Sequence, residues 1–142
     1  MHIKVVDYGS EDYTHIKQLR QDVLRTPIGK ILSEKDTAGE ENQILIAAFE
    51  NEKIAASVIF KPLDNGVIKL RQMAVANSHQ GQGLGKKLVQ FGENLARERG
   101  FTSVELSARI TAQIFYEKIG YTTSGDLFKE VGLQTIKMIK TL

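Results

Sequence analysis

Three glycines at alternating positions, Gly81, Gly83 and Gly85, stand between an apolar stretch ending at Val75 and a helix-patterned run that starts at Leu84. Without a Cβ, the backbone can take up left-handed dihedrals and approach a bound group closely. A helix that starts at such a loop points unpaired N–H groups and a partial positive charge toward it, which suits an anion. Lys86 and Lys87, in the first turn, are unfavourable there unless something negative binds nearby. The segment therefore asks for a strand, a tight loop and a helix in that order, with an anion at the loop.

Spacing narrows the anion. A Walker A loop needs Gly-x-x-x-x-Gly-Lys-Ser/Thr. Aligned on Gly85-Lys86, this chain has Gln80 at the first glycine and Lys87 in place of the metal-binding hydroxyl. A dinucleotide fingerprint, Gly-x-Gly-x-x-Gly, puts Lys86 or Leu88 at its last glycine in the two possible registers. Neither motif fits, although a small nucleotide-binding regulatory domain stays open as a distant alternative.

The rest of the chain reads as one α+β domain. Residues 3–7 form a short strand. Ser10, Glu11 and Asp12 are a helix start, and Ile16, Leu19, Val23 and Leu24 recur at helical spacing until Pro27-Ile28-Gly29. Residues 30–41 are polar and aperiodic, a loop or a short helix. Residues 43–49, 54–60 and 67–75 are three apolar, partly β-branched strands; Asn65-Gly66 is a favoured hairpin turn between the last two. After the glycines, Leu84, Leu88, Phe91 and Leu95 make a helical stripe that Gly100 stops. Residues 101–107 are a strand. Ala112, Phe115, Tyr116 and Ile119 mark another helix, and residues 121–124 and 133–139 supply two last strands. The predicted order is β-α-(α)-βββ-α-β-α-ββ.

With 142 residues, 42% of them hydrophobic and 25% charged, the chain can bury a core as one domain spanning residues 1–142. A net charge of +2, no basic run and few aromatic residues argue against a nucleic-acid partner. The absence of cysteine excludes disulfides, thiolate metal sites and acyl-cysteine intermediates. Three dispersed histidines give no metal-ligand spacing, so no metal is expected. The N-terminus has no signal-peptide core, and no run approaches the ~20 apolar residues of a membrane span. A cytoplasmic protein without a membrane partner is the expectation.

Gln80-x-x-Gly83-x-Gly85 matches Gln/Arg-x-x-Gly-x-Gly, and the chain resembles the GNAT acetyltransferases, in which that motif holds the pyrophosphate of coenzyme A. The likeness extends to Leu70-Arg71-Gln72-Met73-Ala74-Val75 before the motif. It continues to Phe115-Tyr116-Glu117-Lys118-Ile119-Gly120-Tyr121 after it, with the family's Phe-Tyr-x-x-x-Gly-Tyr ending. Residues 19–29 are similar to a subgroup of small bacterial members whose acceptors are unknown. The resemblance implies a central mixed, mostly antiparallel, twisted sheet of about six to seven strands flanked by helices. It implies acetyl-CoA as co-substrate, an amine of a small molecule or peptide as acceptor, and direct attack in a ternary complex. A homodimer is compatible with it, and a non-catalytic acyl-CoA-binding module of the same fold is the alternative.

Residue by residue, the resemblance gives Met73, Ala74 and Val75 to the pantetheine arm and the backbone of Gln80, Gly81, Gln82, Gly83, Leu84, Gly85 and Lys86 to the pyrophosphate. Tyr116 falls where relatives keep a tyrosine beside the thioester sulfur, as acid for the departing thiolate; its place on an apolar stripe also allows a packing role. Three positions depart from the family. Arg109 replaces an Asn seven residues before the tyrosine, Lys69 stands where several members have a glutamate base, and Gly132-Leu133-Gln134-Thr135 replaces a Gly-x-Pro-His. Glu105 and Glu130 are the remaining candidates for a base. Arg20 and Arg25 either bind an acidic acceptor or belong to a solvated helix face, and His79 reads as an ordinary loop histidine.

Overall fold

The computed structural model describes residues 1–142. Strand β1 is His2–Val6 and helix α1 is Glu11–Arg20, whose start is capped where the Tyr13 N–H donates to Ser10 Oγ at 3.3 Å. A π-helical turn, Gln21–Arg25, and a 3-10 turn, Thr26–Ile28, carry the chain to Gly29, which ends it in the left-handed region. The polar stretch that follows contains a short helix, α2, Glu34–Thr37, started by a reciprocal Ser33–Asp36 capping box. Strands β2 (Ile44–Glu50), β3 (Lys53–Pro62) and β4 (Val67–Val75) form the expected meander. Then come α3 (Leu84–Glu98), β5 (Ser103–Arg109), α4 (Gln113–Lys118), β6 (Thr122–Thr123), β7 (Phe128–Glu130) and β8 (Leu133–Thr141). No helix is long and apolar enough to cross a membrane.

All the strands join one sheet in the order β1-β2-β3-β4-β5-β8-β6, with β7 also pairing β8. Only β4 and β5 run parallel, and α3 is the crossover that a parallel pair requires. The sheet has eight strands, one or two more than the sequence indicates. The unforeseen one is β7. It returns into β8 through Val131 and Gly132, both at positive φ. That geometry suits a two-residue hairpin, but Val-Gly is not a turn pair that sequence advertises.

Helices α3 and α4 cover one face of the sheet, over a core that includes Phe60, Leu70, Leu88, Val89, Val104 and Met138. Helix α1 covers the other, where Tyr13 and Ile16 meet Leu45, Ala47, Phe49 and Ile59. The buried line of α3 differs from the expected stripe. Leu84, Leu88, Val89, Gly92, Glu93 and Ala96 face inward, while Phe91 and Leu95 are only half-buried. The Phe60 ring decides this: a Cβ on Gly92 would lie 2.1 Å from its Cε1, so the helix can approach the sheet only along its glycine. Glu93 is buried with its charge answered, accepting from the Tyr121 hydroxyl at 2.8 Å and from Lys140 Nζ at 3.0 Å.

Candidate functional site

The two central strands part company halfway along. Pairing between β4 and β5 covers only Val67–Leu70 against Ser103–Leu106. Beyond Leu70, β4 stays with β3 and β5 stays with β8, out to Arg109 opposite Thr135. A bulge directs β4 away. Ile59 pairs Arg71 but Ser57 pairs Ala74, so Gln72 and Met73 together face Val58, with Gln72 at φ +54°. The resulting cleft has a volume of about 1160 Å³, ample for a large cofactor-like ligand. Arg71, Gln72, Met73 and Val75 line it from β4, and Ser107, Ala108 and Arg109 from β5.

The glycine loop closes one end of the cleft. Gly81 and Gly83 sit at φ +77° and +78°, with open space where a Cβ would project. Gly83 starts α3 without a side-chain cap, and the first helical bond runs from the Lys87 N–H to the Gly83 carbonyl. The N–H groups from Gln80 through Lys86 therefore have no acceptor within the protein. The Gln80 side chain turns back to the strand instead, donating to the Val75 carbonyl and to Asn77 Oδ1, both at 3.1 Å. Of the residues singled out in the sequence, Met73, Val75, Gln80, Gly81, Gly83, Leu84, Gly85 and Tyr116 line the cleft. Ala74 is buried away from the cleft, and Gln82 and Lys86 lie outside the cleft wall. Both of the latter still carry main-chain N–H groups without a protein acceptor.

Tyr116 is held by its neighbours, edge-on to Phe115 at 4.9 Å and to Tyr121 at 5.7 Å between ring centroids. Its ring is buried, and the hydroxyl is left without a protein hydrogen-bond partner. Burial raises its pKa above that of an ordinary tyrosine, so it is neutral and able to donate across the physiological range.

The side of the cleft beneath α1 is charged. Arg25, Lys35, Lys69, Arg71 and Arg109 line it, against Asp36 and Glu130. Behind this wall lies a cluster that the sequence reading missed. Glu40, fully buried, accepts from the Tyr13 hydroxyl at 2.6 Å, Arg20 Nη1 at 2.7 Å and Arg71 Nη1 at 3.1 Å. Arg20 Nε also reaches Gln72 Oε1 at 3.2 Å, which ties α1 to the bulge. Arg20 is thus neither on a solvated face nor free to meet an acceptor: it is fully buried and paired. Its spacing held the signal, because Tyr13, Ile16 and Arg20 lie on one helical stripe. Nothing in the sequence around Glu40 marks it as the partner.

Arg25 is nearly buried, lines the cleft and pairs with Asp36 at 3.4 Å. Glu130 lines the cleft from β7, whereas Glu105 lies off its wall, 3.8 Å from Lys137 Nζ. His79 also lines the cleft, with its ring between Ser78 Oγ at 2.9 Å and Glu50 Oε2 at 3.2 Å.

A family model described as an acetyltransferase (GNAT) domain matches residues 10–142. The uncharacterized Bacillus subtilis protein YyaT is 29% identical over 109 residues, covering 77% of this chain and 72% of its own. A Lactobacillus plantarum protein, assigned as an N-acetyltransferase, superposes with a TM-score of 0.89 at 23% identity, covering 100% of this chain and 99% of that one. An aminoglycoside 6'-N-acetyltransferase complexed with coenzyme A superposes with a TM-score of 0.82 at 17% identity, over 99% of this chain and 97% of that one. At these identities the structural likenesses establish a shared fold.

Proposed function

The chain belongs to the GNAT acetyltransferase family, and on that premise we propose that it moves an acetyl group from acetyl-CoA to an amine of a small molecule or peptide by direct attack in a ternary complex. The observation that carries this reading is the run of free N–H groups from Gln80 to Lys86, opening onto a cleft between two parted strands. Such a run, at the start of a long helix and beside two left-handed glycines, supplies the donors that a pyrophosphate requires. The open space at Gly81 and Gly83 lets a phosphate approach the main chain. Beyond Leu70 the β4 backbone has no strand partner on the cleft side, where an amide-bearing arm can hydrogen-bond like an added strand.

In this reading, a neutral amine nitrogen forms a bond to the thioester carbon and the carbon–sulfur bond breaks. The nitrogen releases a proton, and the sulfur leaves as thiolate. Tyr116 donates a hydrogen bond to that sulfur. Because burial raises its pKa well above a thiol's ordinary value of about 8.5, full proton transfer from it is uphill, and solvent completes the protonation. An alkylammonium acceptor, pKa about 10.4, must first lose a proton. Glu130 is the carboxylate on the cleft wall best placed to take it without burial of its own.

Thermal shift and thioester turnover test the reading together. CoA and acetyl-CoA should raise the melting temperature while Mg-ATP does not, since Lys87 replaces the hydroxyl that a nucleotide loop uses for its metal. Acetyl-CoA with a panel of amines should release free thiol. A larger shift with Mg-ATP than with CoA would defeat the proposal; CoA binding with no turnover against a broad amine panel would reduce it to a binding module.

A further inference from the structure

The charges beneath α1 are unevenly matched. Arg71 is answered by Glu40 and Arg25 by Asp36. Arg109 forms no ion pair: its protein partner is the Leu24 carbonyl, 3.1 Å from Nη2. A guanidinium carries five N–H donors, so most of those on Arg109 are unspent, and the side chain is half-buried on the cleft wall. It sits close enough to Arg25 for the two charges to repel; burial first, and then that repulsion, lower its pKa, while Glu130 offsets part of this. Glu130, exposed on β7, forms no salt bridge with it. A fixed, desolvated cation beside another cation is unfavourable until an anion arrives.

The direction of the side chain says which ligand supplies that anion. Ala108 faces the core under α3, so Arg109, next on the strand, faces the α1 side. Its bond to Leu24, just beyond α1, agrees. The free N–H groups of the glycine loop lead into α3, on the other face of the sheet. The phosphates and the Arg109 anion are therefore separate.

Resting on the acetyl-transfer reading above, we propose that Arg109 is a specificity-determining residue that binds an oxyanion on the acceptor, a carboxylate or a phosphate-type group, and that the acceptors are small anionic amines. Guanidinium suits both, since its planar fork pairs with either in bidentate fashion. The surplus of cations on this wall, with Lys69 and Lys35 also lacking ion pairs, disfavours polycationic acceptors.

The test uses conjugates that bind through CoA whatever their acceptor end does. The CoA sulfur carries CH2–CO–NH followed by one, two or three methylenes, ending in carboxylate, phosphonate, primary amide or ammonium. Calorimetry on the wild type should give, at the best length, a carboxylate or phosphonate conjugate bound at least about tenfold tighter than its amide, with the ammonium weaker still. Whichever oxyanion is preferred identifies the source. Arg109→Gln should bring the oxyanion-to-amide ratio to about one with CoA affinity retained, and Arg109→Lys should keep part of it. Equal binding of acid and amide at every length in the wild type, or an undiminished preference in Arg109→Gln, would overturn the proposal and leave acetyl transfer standing. Failure of CoA itself to bind would remove both.

Discussion

Glu40→Gln removes one charge from the buried cluster and changes little volume. The carboxylate is fully buried and takes three short hydrogen bonds, from Tyr13, Arg20 and Arg71. An amide in its place leaves Arg20, itself fully buried, with no counter-charge and turns one acceptor oxygen into a donor facing N–H groups. Removing one partner of a buried pair costs about 3–5 kcal/mol. Unfolding entropy of about 2.1 cal/mol/K per residue gives about 0.3 kcal/mol/K for this chain, so the melting temperature should fall by about 10–17 °C. Acid supplies a second reading of the same charge. Burial pushes the Glu40 carboxyl upward, but hydrogen bonds from Arg20 and Tyr13 and the Arg20 charge outweigh it, and its pKa lies below the ordinary glutamate value. A depressed carboxylate contributes its full stability above the unfolded-state value of about 4.3 and loses it as pH falls through the folded-state one. The gap between wild type and Glu40→Gln should be widest at neutral pH and should close in acid. Circular-dichroism melts of both proteins between pH 7 and pH 3 measure it. A neutral-pH difference below about 3 °C, equivalent to about 1 kcal/mol, would refute the claim that this cluster fastens α1 to the sheet. A gap that persisted undiminished at pH 3 would show that the carboxylate charge is not its source.

Gly92→Ala should lose at least about 1 kcal/mol in urea unfolding despite the better helix propensity of alanine, because its Cβ meets the Phe60 ring at 2.1 Å; adding Phe60→Leu should recover part of the loss, and an unchanged midpoint would mean the helix has room to spare. Gly83→Val should abolish most acetyl-CoA affinity by calorimetry, since a branched side chain in the open space at φ +78° stands in the path of a phosphate. A folded variant with unchanged affinity would remove the loop from the binding site. Tyr116→Phe keeps the ring packing and should lower turnover by less than about 10²-fold with acetyl-CoA affinity preserved, as befits a hydrogen-bond donor and not an obligatory acid. Equal turnover of the two proteins would assign Tyr116 to packing alone.

Local chemistry made much of this legible in advance. Asn65-Gly66 turns β3 into β4 with both residues at positive φ, as the dipeptide demands. Gly29 and Gly100 end helical segments in the left-handed region, as expected. Gly81 and Gly83 take the dihedrals for which their lack of a Cβ qualifies them. Each of these depends on residues within a few positions of one another. The three-residue strand β7 escaped because Val131 adopts a positive φ that its own side chain opposes, held there by β7 and β8 pairing across it.

What the sequence alone determined is the order of every strand and main helix but β7, and the left-handed turns of the glycine loop, because both rest on short-range backbone preferences and periodicity. Which side chains meet across the sheet was decided only in three dimensions. Glu40 acquires Arg20 and Arg71 from 20 and 31 residues away. The inward line of α3 is fixed by Phe60 across the layer. The cleft exists because β4 bulges toward β3 while β5 follows β8. Burial made each of these choices: a charge withdrawn from water must find its counter-charge, and a ring must find room, wherever the fold brings them.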